Sequence, residues 1–286
     1  MKPTTARSSL PAAALACLLA LAVAAPAGGD PGREPRRPIV RTKRIAPGLL
    51  FTRIVQRQVP RRTFVLKIDP SRPLTMDVTL AAATLPARRE TSATARAHGA
   101  LAATNGDFNN RDVGRPVHVF AQDGDLVQTA GAGGPLWGFR RDERDVFVGS
   151  PNLDVTVTDR DSGQTWDIKH WNRGDPVPGE IVAFSPLGGT LEIPPPFTCS
   201  VRLLPDGPIS PDGRGGVIAD HVVDAAACSE ESMARNGGVV LSAAPATDEA
   251  TQLLAMAPGT PMRVRWALGW DDVFDVVGGG PILVRD

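Results

Sequence analysis

The stretch Asn105-Gly106-Asp107 has residue types that suit the binding of a sugar or phosphate oxygen. It follows an apolar, alanine-rich run, so we expect it at the sharp turn that ends a strand. Asn, Gly and Asp tolerate positive φ, which lets their side chains face outward towards a sugar hydroxyl or a phosphate oxygen. An ordinary turn explains the same residues, so the chemistry needs further support.

A second stretch, Gly278-Gly279-Gly280, lies between two apolar runs and is followed by Pro281. Each ordered glycine costs about 0.5–1 kcal/mol relative to alanine, so three in a row indicate a structural need. That need is positive φ, close backbone approach, or amides that face an anion. A purely structural hairpin is the alternative.

The elements that would position these residues are short strands. The chain of 286 residues contains 29 glycines and 27 prolines, which is typical of many tight turns between strands. A half-buried strand is predicted over 76–80, and short helices over 91–99 and 249–255. We therefore predict an α+β fold, with a β-dominated mixed sheet core, short helices and a β-rich insertion.

The overall charge does not favour nucleic acid or an anionic membrane as a partner. The 31 basic and 31 acidic residues balance, so no net field attracts nucleic acid or an anionic membrane. Basic residues are concentrated between Arg33 and Arg72, where Glu34 and Asp69 are the acidic ones. This segment is either a solvated tail and first hairpin or a surface for an anionic wall polymer or lipid.

The N-terminus has the pattern of an export signal. Lys2 and Arg7 precede an apolar run over 12–25, and small residues allow cleavage after Ala27. The run is shorter than a membrane span requires, so no stable membrane span is predicted. Cys17 offers a lipidation site as an alternative, and the main prediction is a secreted protein.

Removing this signal leaves Cys199 and Cys228. A pair of cysteines in an oxidising compartment predicts a disulfide. Two buried thiols or a metal site are the alternatives. Neither cysteine has a C-x-x-C partner, and His221 alone does not complete a zinc ligand set, so no metal site is assigned.

Several segments together resemble the phosphodiester glycosidase family. Residues 101–108 resemble its Asn-Gly-Gly-Phe-Phe-like stretch, with Asp107 in place of a glycine. Residues 115–117 and 123–127 resemble the strand and Asp-Gly turn that follow. Residues 278–284 resemble its later Gly-Gly-x-Pro-x-Leu-Val-like segment.

The resemblance implies a secreted hydrolase that cleaves a sugar linked through a phosphodiester, on glycan or cell-wall material. Asp107 or Glu90 would be the catalytic carboxyl group, Asn105 with Gly106 would orient the substrate, and amides of Gly278, Gly279 and Gly280 would bind an oxyanion. No organic cofactor is implied, and a divalent cation could neutralise the phosphate. A non-catalytic, secreted glycan-binding protein on the same scaffold is the alternative.

The resemblance also suggests a domain plan. After a linker over 28–44, residues 45–154 would form the N-terminal part of the family domain. Residues 155–264 would be the β-rich insertion, and 265–286 would start the C-terminal part. Family members continue with an Arg-Thr segment and an Asp-Gly-Gly-Gly-Ser-Ser-like segment, so we expect the chain to be truncated relative to them.

Overall fold

A computed structural model describes residues 37–110, 113–131 and 133–279, without the side chains of residues 109 and 110. The predicted signal peptide and Gly280 lie outside these residues. The described chain divides into a small unit of residues 37–41 and 53–64, and a large unit of residues 42–52 and 65–279. Among the described residues, no helix has both the length and the apolar character needed to cross a membrane.

Strands dominate the described chain. The first nine strands are β1 (Ile39–Ala46), β2 (Leu49–Gln56), β3 (Arg61–Ile68), β4 (Asn109–Asn110), β5 (Arg115–Pro116), β6 (Phe120–Gln122), β7 (Asp125–Gln128), β8 (Leu136–Arg140) and β9 (Val146–Gly149). The others are β10 (Asp154–Asp159), β11 (Thr165–Asp167), β12 (His170–Trp171), β13 (Val182–Phe184), β14 (Thr198–Pro205), β15 (Ser210–Pro211), β16 (Gly216–Ser229), β17 (Val239–Ala243), β18 (Pro261–Ala267) and β19 (Val273–Gly278).

Helices are few and short in the described residues. They are α1 (Thr91–Ala97), α2 (Asp248–Leu254) and a 3₁₀ turn over Pro186–Gly188. Thr247 caps α2, because its hydroxyl accepts from the Ala250 amide at 3.2 Å. The predicted α+β class, dominated by sheet with short helices, is confirmed.

The largest sheet has nine strands and is built from residues 154–267. Its order is β11-β10-β18-β16-β14-β17-β13-β12, with β15 paired to β16. Neighbouring strands are antiparallel except β12 and β13, which are parallel. The sheet covers the residues predicted as the β-rich insertion and extends slightly past both ends of that range.

A five-stranded sheet, in the order β7-β6-β19-β8-β9, contributes buried side chains to a core on each of its faces, although its β9 edge is partly exposed. Successive side chains of a strand point to opposite faces. Ala121 and Leu126 accordingly join the core shared with the nine-stranded sheet. Phe120 and Val127 face a second core on the other side. The remaining sheets are β1-β2-β3 and the short pair β4-β5.

Two buried side chains connect the nine-stranded and five-stranded sheets. The Trp266 indole in β18 donates to the Gly124 carbonyl in the β6–β7 turn at 2.8 Å. The Asn172 amide, which follows β12, donates to the Val127 carbonyl in β7 at 2.7 Å. Buried polar groups need hydrogen-bond partners. These two contacts therefore fix the position of one sheet relative to the other.

Two expectations about local structure are corrected. Residues 39–44, predicted as linker, belong to β1, whose charged side chains are nearly all exposed and therefore give no hydrophobic alternation. Residues 76–80 are not assigned as a strand. Val78 and Leu80 are nevertheless buried, as the alternation indicated, because this segment packs on the second core.

The predicted disulfide is confirmed. Cys199 in β14 and Cys228 in β16 are directly opposed and bonded, across a sequence separation of 29 residues. Cys199 is buried, whereas Cys228 is exposed.

We predict that replacing both cysteines with alanine lowers the free energy of unfolding by about 3 kcal/mol, because the disulfide restricts the unfolded chain. Urea denaturation followed by tryptophan fluorescence measures the change. The wild-type protein unfolded in dithiothreitol is the control, and it should match the double variant. Equal stability of the oxidised wild type and the variant would contradict this expectation.

Candidate functional site

Asp107 and His118 form a buried, doubly hydrogen-bonded pair. The Nδ1 atom of His118 lies 2.5 Å from Oδ1 of Asp107, and the His118 backbone amide donates to Oδ2 at 2.7 Å. Only 10% of the His118 side chain and 5% of the Asp107 side chain are exposed. One carboxylate therefore fixes both the backbone and the ring of the same histidine.

Hydrogen bonds to backbone carbonyls hold the loops that carry this pair. Gln128, which is fully buried in β7, donates from Nε2 to the carbonyls of Pro116 at 2.6 Å and His118 at 2.9 Å. The Val117 amide donates to the Phe108 carbonyl at 3.0 Å, which joins the two loops. The site is thus anchored to the strands beside it.

The ring geometry assigns the proton. An ionised carboxylate only accepts hydrogen bonds, so Nδ1 of His118 carries the proton in this contact. In the neutral imidazole the lone pair is then on Nε2. A histidine oriented in this way by a carboxylate can accept a proton from water or a hydroxyl group.

Glycines on two sides make room for the pair. A β-carbon on Gly278 would lie 2.5 Å from Oδ1 of Asp107 and 2.6 Å from Nδ1 of His118. A β-carbon on Gly134 would lie 2.7 Å from Cδ2 of the imidazole. Neither glycine has positive φ. Close approach to the pair is therefore what requires glycine at these positions.

The structure brings together some of the predicted site residues. Gly106 packs against Val277 of β19, so the loop carrying Asp107 meets the glycine stretch at Gly278. Asn105 is exposed on the same loop. The Gly279 amide donates to the Pro135 carbonyl at 2.9 Å and is therefore already engaged.

Glu90 lies at the start of α1, outside this pair. It is exposed and caps α1, where its carbonyl accepts from the amides of Ala93 and Thr94. Among the described contacts, none joins Glu90 to Asp107 or His118. The structure therefore favours Asp107 over Glu90 as the carboxyl group of the site.

Two arginines accompany the pair. Arg115 forms an ion pair with Glu192, whose side chain is only 7% exposed. Arg173 donates to the carbonyls of Thr129 at 3.2 Å and Pro116 at 3.3 Å. Burial lowers the pKa of both guanidinium groups, and Arg115 lowers that of Arg173 further, whereas nearby Asp107 raises it.

A cavity of about 250 Å³ opens on the Gly134 side of the imidazole. Its walls are largely apolar, with Thr129, Asn152 and Lys169 as polar members. His118 itself does not line this cavity, so the cavity is a neighbour of the Asp107–His118 pair and is not assigned as its ligand site.

A separate acidic cluster has suitable geometry for a hard cation. Single carboxylate oxygens of Asp77, Asp123 and Asp275 lie within 4.8 Å of one another, and Mg²⁺ and Ca²⁺ prefer such ligands. Burial, with the neighbouring carboxylates Asp123, Asp77 and Glu143, raises the pKa of Asp275 to about 7, although the Asp123 amide donates to it at 2.6 Å.

Neither His118 nor Arg173 is predicted from the sequence as a site residue. The one signal for His118 was its place directly after residues 115–117, which already resembled a family segment. Arg173 lies in the predicted insertion, where local pattern gave it no role. Both residues are brought to the site by contacts with residues that are distant in sequence. Hydrophobic periodicity gives no information about such contacts.

Comparisons with known proteins support the fold only. No protein-family model and no curated protein matches the sequence. A hypothetical protein from Synechocystis aligns with a TM-score of 0.58 and 18% identity, over 87% of this chain and 45% of that one. A Burkholderia pseudomallei protein, described provisionally as exported, aligns with a TM-score of 0.48 and 20% identity, over 82% and 50%. The chain thus spans about half the length of these solved proteins.

We predict that Gly278→Ala destabilises the protein by about 1–3 kcal/mol, because the new methyl group overlaps the Asp107–His118 contact. Urea denaturation and the imidazole NMR signals of His118 measure the effect. Gly133→Ala is the matched control, since a β-carbon there meets no atom within 4 Å. Equal stability of the two variants would argue against tight packing at Gly278.

We predict that Asp275 makes the protein less stable as pH rises. Its pKa is raised on folding, so between pH 4 and about 7 the folded state binds more protons than the unfolded state. Stability is therefore highest near pH 4 and falls up to about pH 7, by at most about 4 kcal/mol from this group.

Asp275→Asn should remove that part of the slope, while Asn retains an acceptor for the Asp123 amide. Urea denaturation from pH 4.5 to 8.5 compares the two proteins, with exposed Asp161→Asn as the control. Parallel profiles for wild type and Asp275→Asn would exclude this role for Asp275.

Proposed function

We propose that this chain is exported and hydrolyses a sugar linked through a phosphodiester, with chemistry of the phosphodiester glycosidase type. The observation that carries the proposal is the buried Asp107–His118 pair, with imidazole Nε2 free of the carboxylate. The resemblance of residues 101–108 and 278–284 to that family supports it, because the structure juxtaposes Gly106 and Asp107 with β19.

A single oriented base suits this reaction. Most glycosidases need a second carboxylic acid to protonate a poor alkoxide leaving group. A phosphate monoester leaves as a stable anion, so it needs positive charge nearby more than it needs an acid. The site has one histidine base with the Arg173 guanidinium group nearby, and this group has no direct ion-pair partner among the described residues, which matches that requirement.

The proposed reaction uses His118 as a general base. Water, hydrogen-bonded to Nε2 of His118, attacks the anomeric carbon while its proton passes to Nε2. The bond between that carbon and the phosphate oxygen breaks, and its electrons leave with the phosphate. The products are a free sugar and a phosphate monoester. Asp107 orients the ring and stabilises the imidazolium, and exposed Asn105 orients the sugar.

Export is supported by the N-terminal sequence and by the disulfide. Lys2 and Arg7 precede the apolar run over 12–25. The Cys199–Cys228 bond is typical of an oxidising compartment. The proposed substrate is a sugar phosphate on glycan or cell-wall material.

We predict that the full chain releases free sugar and phosphate monoester from alkyl diesters of glucose 1-phosphate or N-acetylglucosamine 1-phosphate. His118→Ala should lower kcat by about 100-fold or more, and Asp107→Asn by a comparable factor, because the base is removed or loses its orientation. Phosphorus NMR of the products measures turnover. Exposed His98→Ala is the matched control and should retain wild-type activity.

The same assay separates this proposal from non-catalytic glycan binding. Tight binding of a glycan by a folded wild-type protein, with no turnover of any diester, would support a glycan-binding protein and overturn the hydrolase. Turnover that survives His118→Ala unchanged would also overturn the proposed site.

A further inference from the structure

The guanidinium group of Arg173 is held in one place from two sides. Nε and Nη2 donate to the carbonyls of Thr129 and Pro116. The Gly131 backbone lies directly against the group, since a β-carbon there would come within 2.6 Å of Cζ and 2.8 Å of Nη2. A side chain fixed in this way has already lost its rotamer freedom, so binding a ligand costs little further entropy.

Its charge is not matched by an acidic partner. Among the described residues, Arg173 forms no ion pair, whereas neighbouring Arg115 is paired with Glu192. Asp107 is close enough to interact with Arg173 electrostatically, but its two oxygens are engaged by His118. A partly buried cation without a directly bonded counter-ion is costly, and an anionic ligand bonded to it would reduce that cost.

Donor capacity remains on this guanidinium group. Arginine has five N–H donors, and the described contacts of Arg173 use two of them. The remaining donors lie on the two terminal nitrogens, in the fork arrangement that binds two oxygens of one oxyanion. Lysine would supply the charge without this fork.

We propose that Arg173 is the phosphate-binding residue of the site. This inference rests on the proposed function, and it assigns substrate recognition to an arginine that the nine-stranded sheet supplies directly after β12. Bound phosphate would lie beside the Asp107–His118 pair. As the anomeric carbon–oxygen bond breaks, the phosphate gains one negative charge, and Arg173 is placed to stabilise it.

The test uses the folded full chain and two probes, inorganic phosphate and dimethyl phosphate, titrated by calorimetry. Wild type should bind both, and Arg173→Gln should weaken binding by about tenfold or more, because a charge-assisted, two-point contact is lost. Arg173→Lys should lose nearly as much. Arg160→Gln, which removes a half-exposed arginine paired with Asp220, is the matched control and should bind as wild type.

A second measurement needs no variant at the site. In wild-type protein with ¹⁵N-labelled arginine, the Arg173 Nε–H signal should shift on titration with phosphate, while that of Arg160 stays in place. Failure of wild type to bind either probe, or equal binding by Arg173→Gln, would overturn the inference.

Turnover distinguishes this inference from the proposed function. His118-dependent hydrolysis with unchanged kcat/KM in Arg173→Gln would leave the hydrolase standing and remove the phosphate role. Arg173-dependent phosphate binding without any turnover would keep the anion site and overturn the hydrolase.

Discussion

The buried side-chain amide of Asn172 is the interaction on which the site depends. Nδ2 donates to the Val127 carbonyl and the Ser185 hydroxyl, both at 2.7 Å, and Oδ1 accepts from the Ser185 amide at 2.8 Å. A buried amide must satisfy both ends, so it has one acceptable orientation. Val127 belongs to the five-stranded sheet and Ser185 follows a strand of the nine-stranded sheet. Together with the hydrogen bond from Trp266 to Gly124, this residue sets the position of the two sheets relative to each other, and with it the position of Arg173.

The Asp107–His118 site and the acidic cluster differ in which of their buried charges have partners. Asp107 receives two hydrogen bonds and Glu192 receives an arginine, so both buried carboxylates are compensated. Arg173 is hydrogen-bonded only to neutral carbonyls, with Asp107 near it but not bonded to it, and Asp275 faces other carboxylates. Burying a charge without a partner is costly, and proteins keep such a feature where it contributes to function. The two uncompensated groups have opposite sign, so they favour opposite partners: an anion at Arg173, and a proton or a cation at Asp275.

The structural features that could be predicted from the sequence are those that the local residue pattern determines. Alternation identified Val78 and Leu80 as buried, turn residues indicated a sheet-dominated fold, and the two cysteines indicated a disulfide. The three glycines indicated positive φ, close backbone approach or amides facing an anion, and at Gly278 the structure shows close approach without positive φ. His118 and Arg173 could not be predicted in the same way. They lie on loops without periodicity, and contacts with distant strands bring them together.

The connection between the sheets suggests how such a site changes its specificity. β8 pairs with both β9 and β19, so the chain leaves for the nine-stranded sheet and returns beside the same strand. The five-stranded sheet and its neighbouring loops can therefore hold Asp107 and His118 while the inserted sheet varies. In the proposed reaction, proton transfer depends on the first part and anion recognition on the second, through Arg173. Because the two roles reside on separately variable segments, a change in the insertion would alter which anion is accepted and leave the histidine base intact.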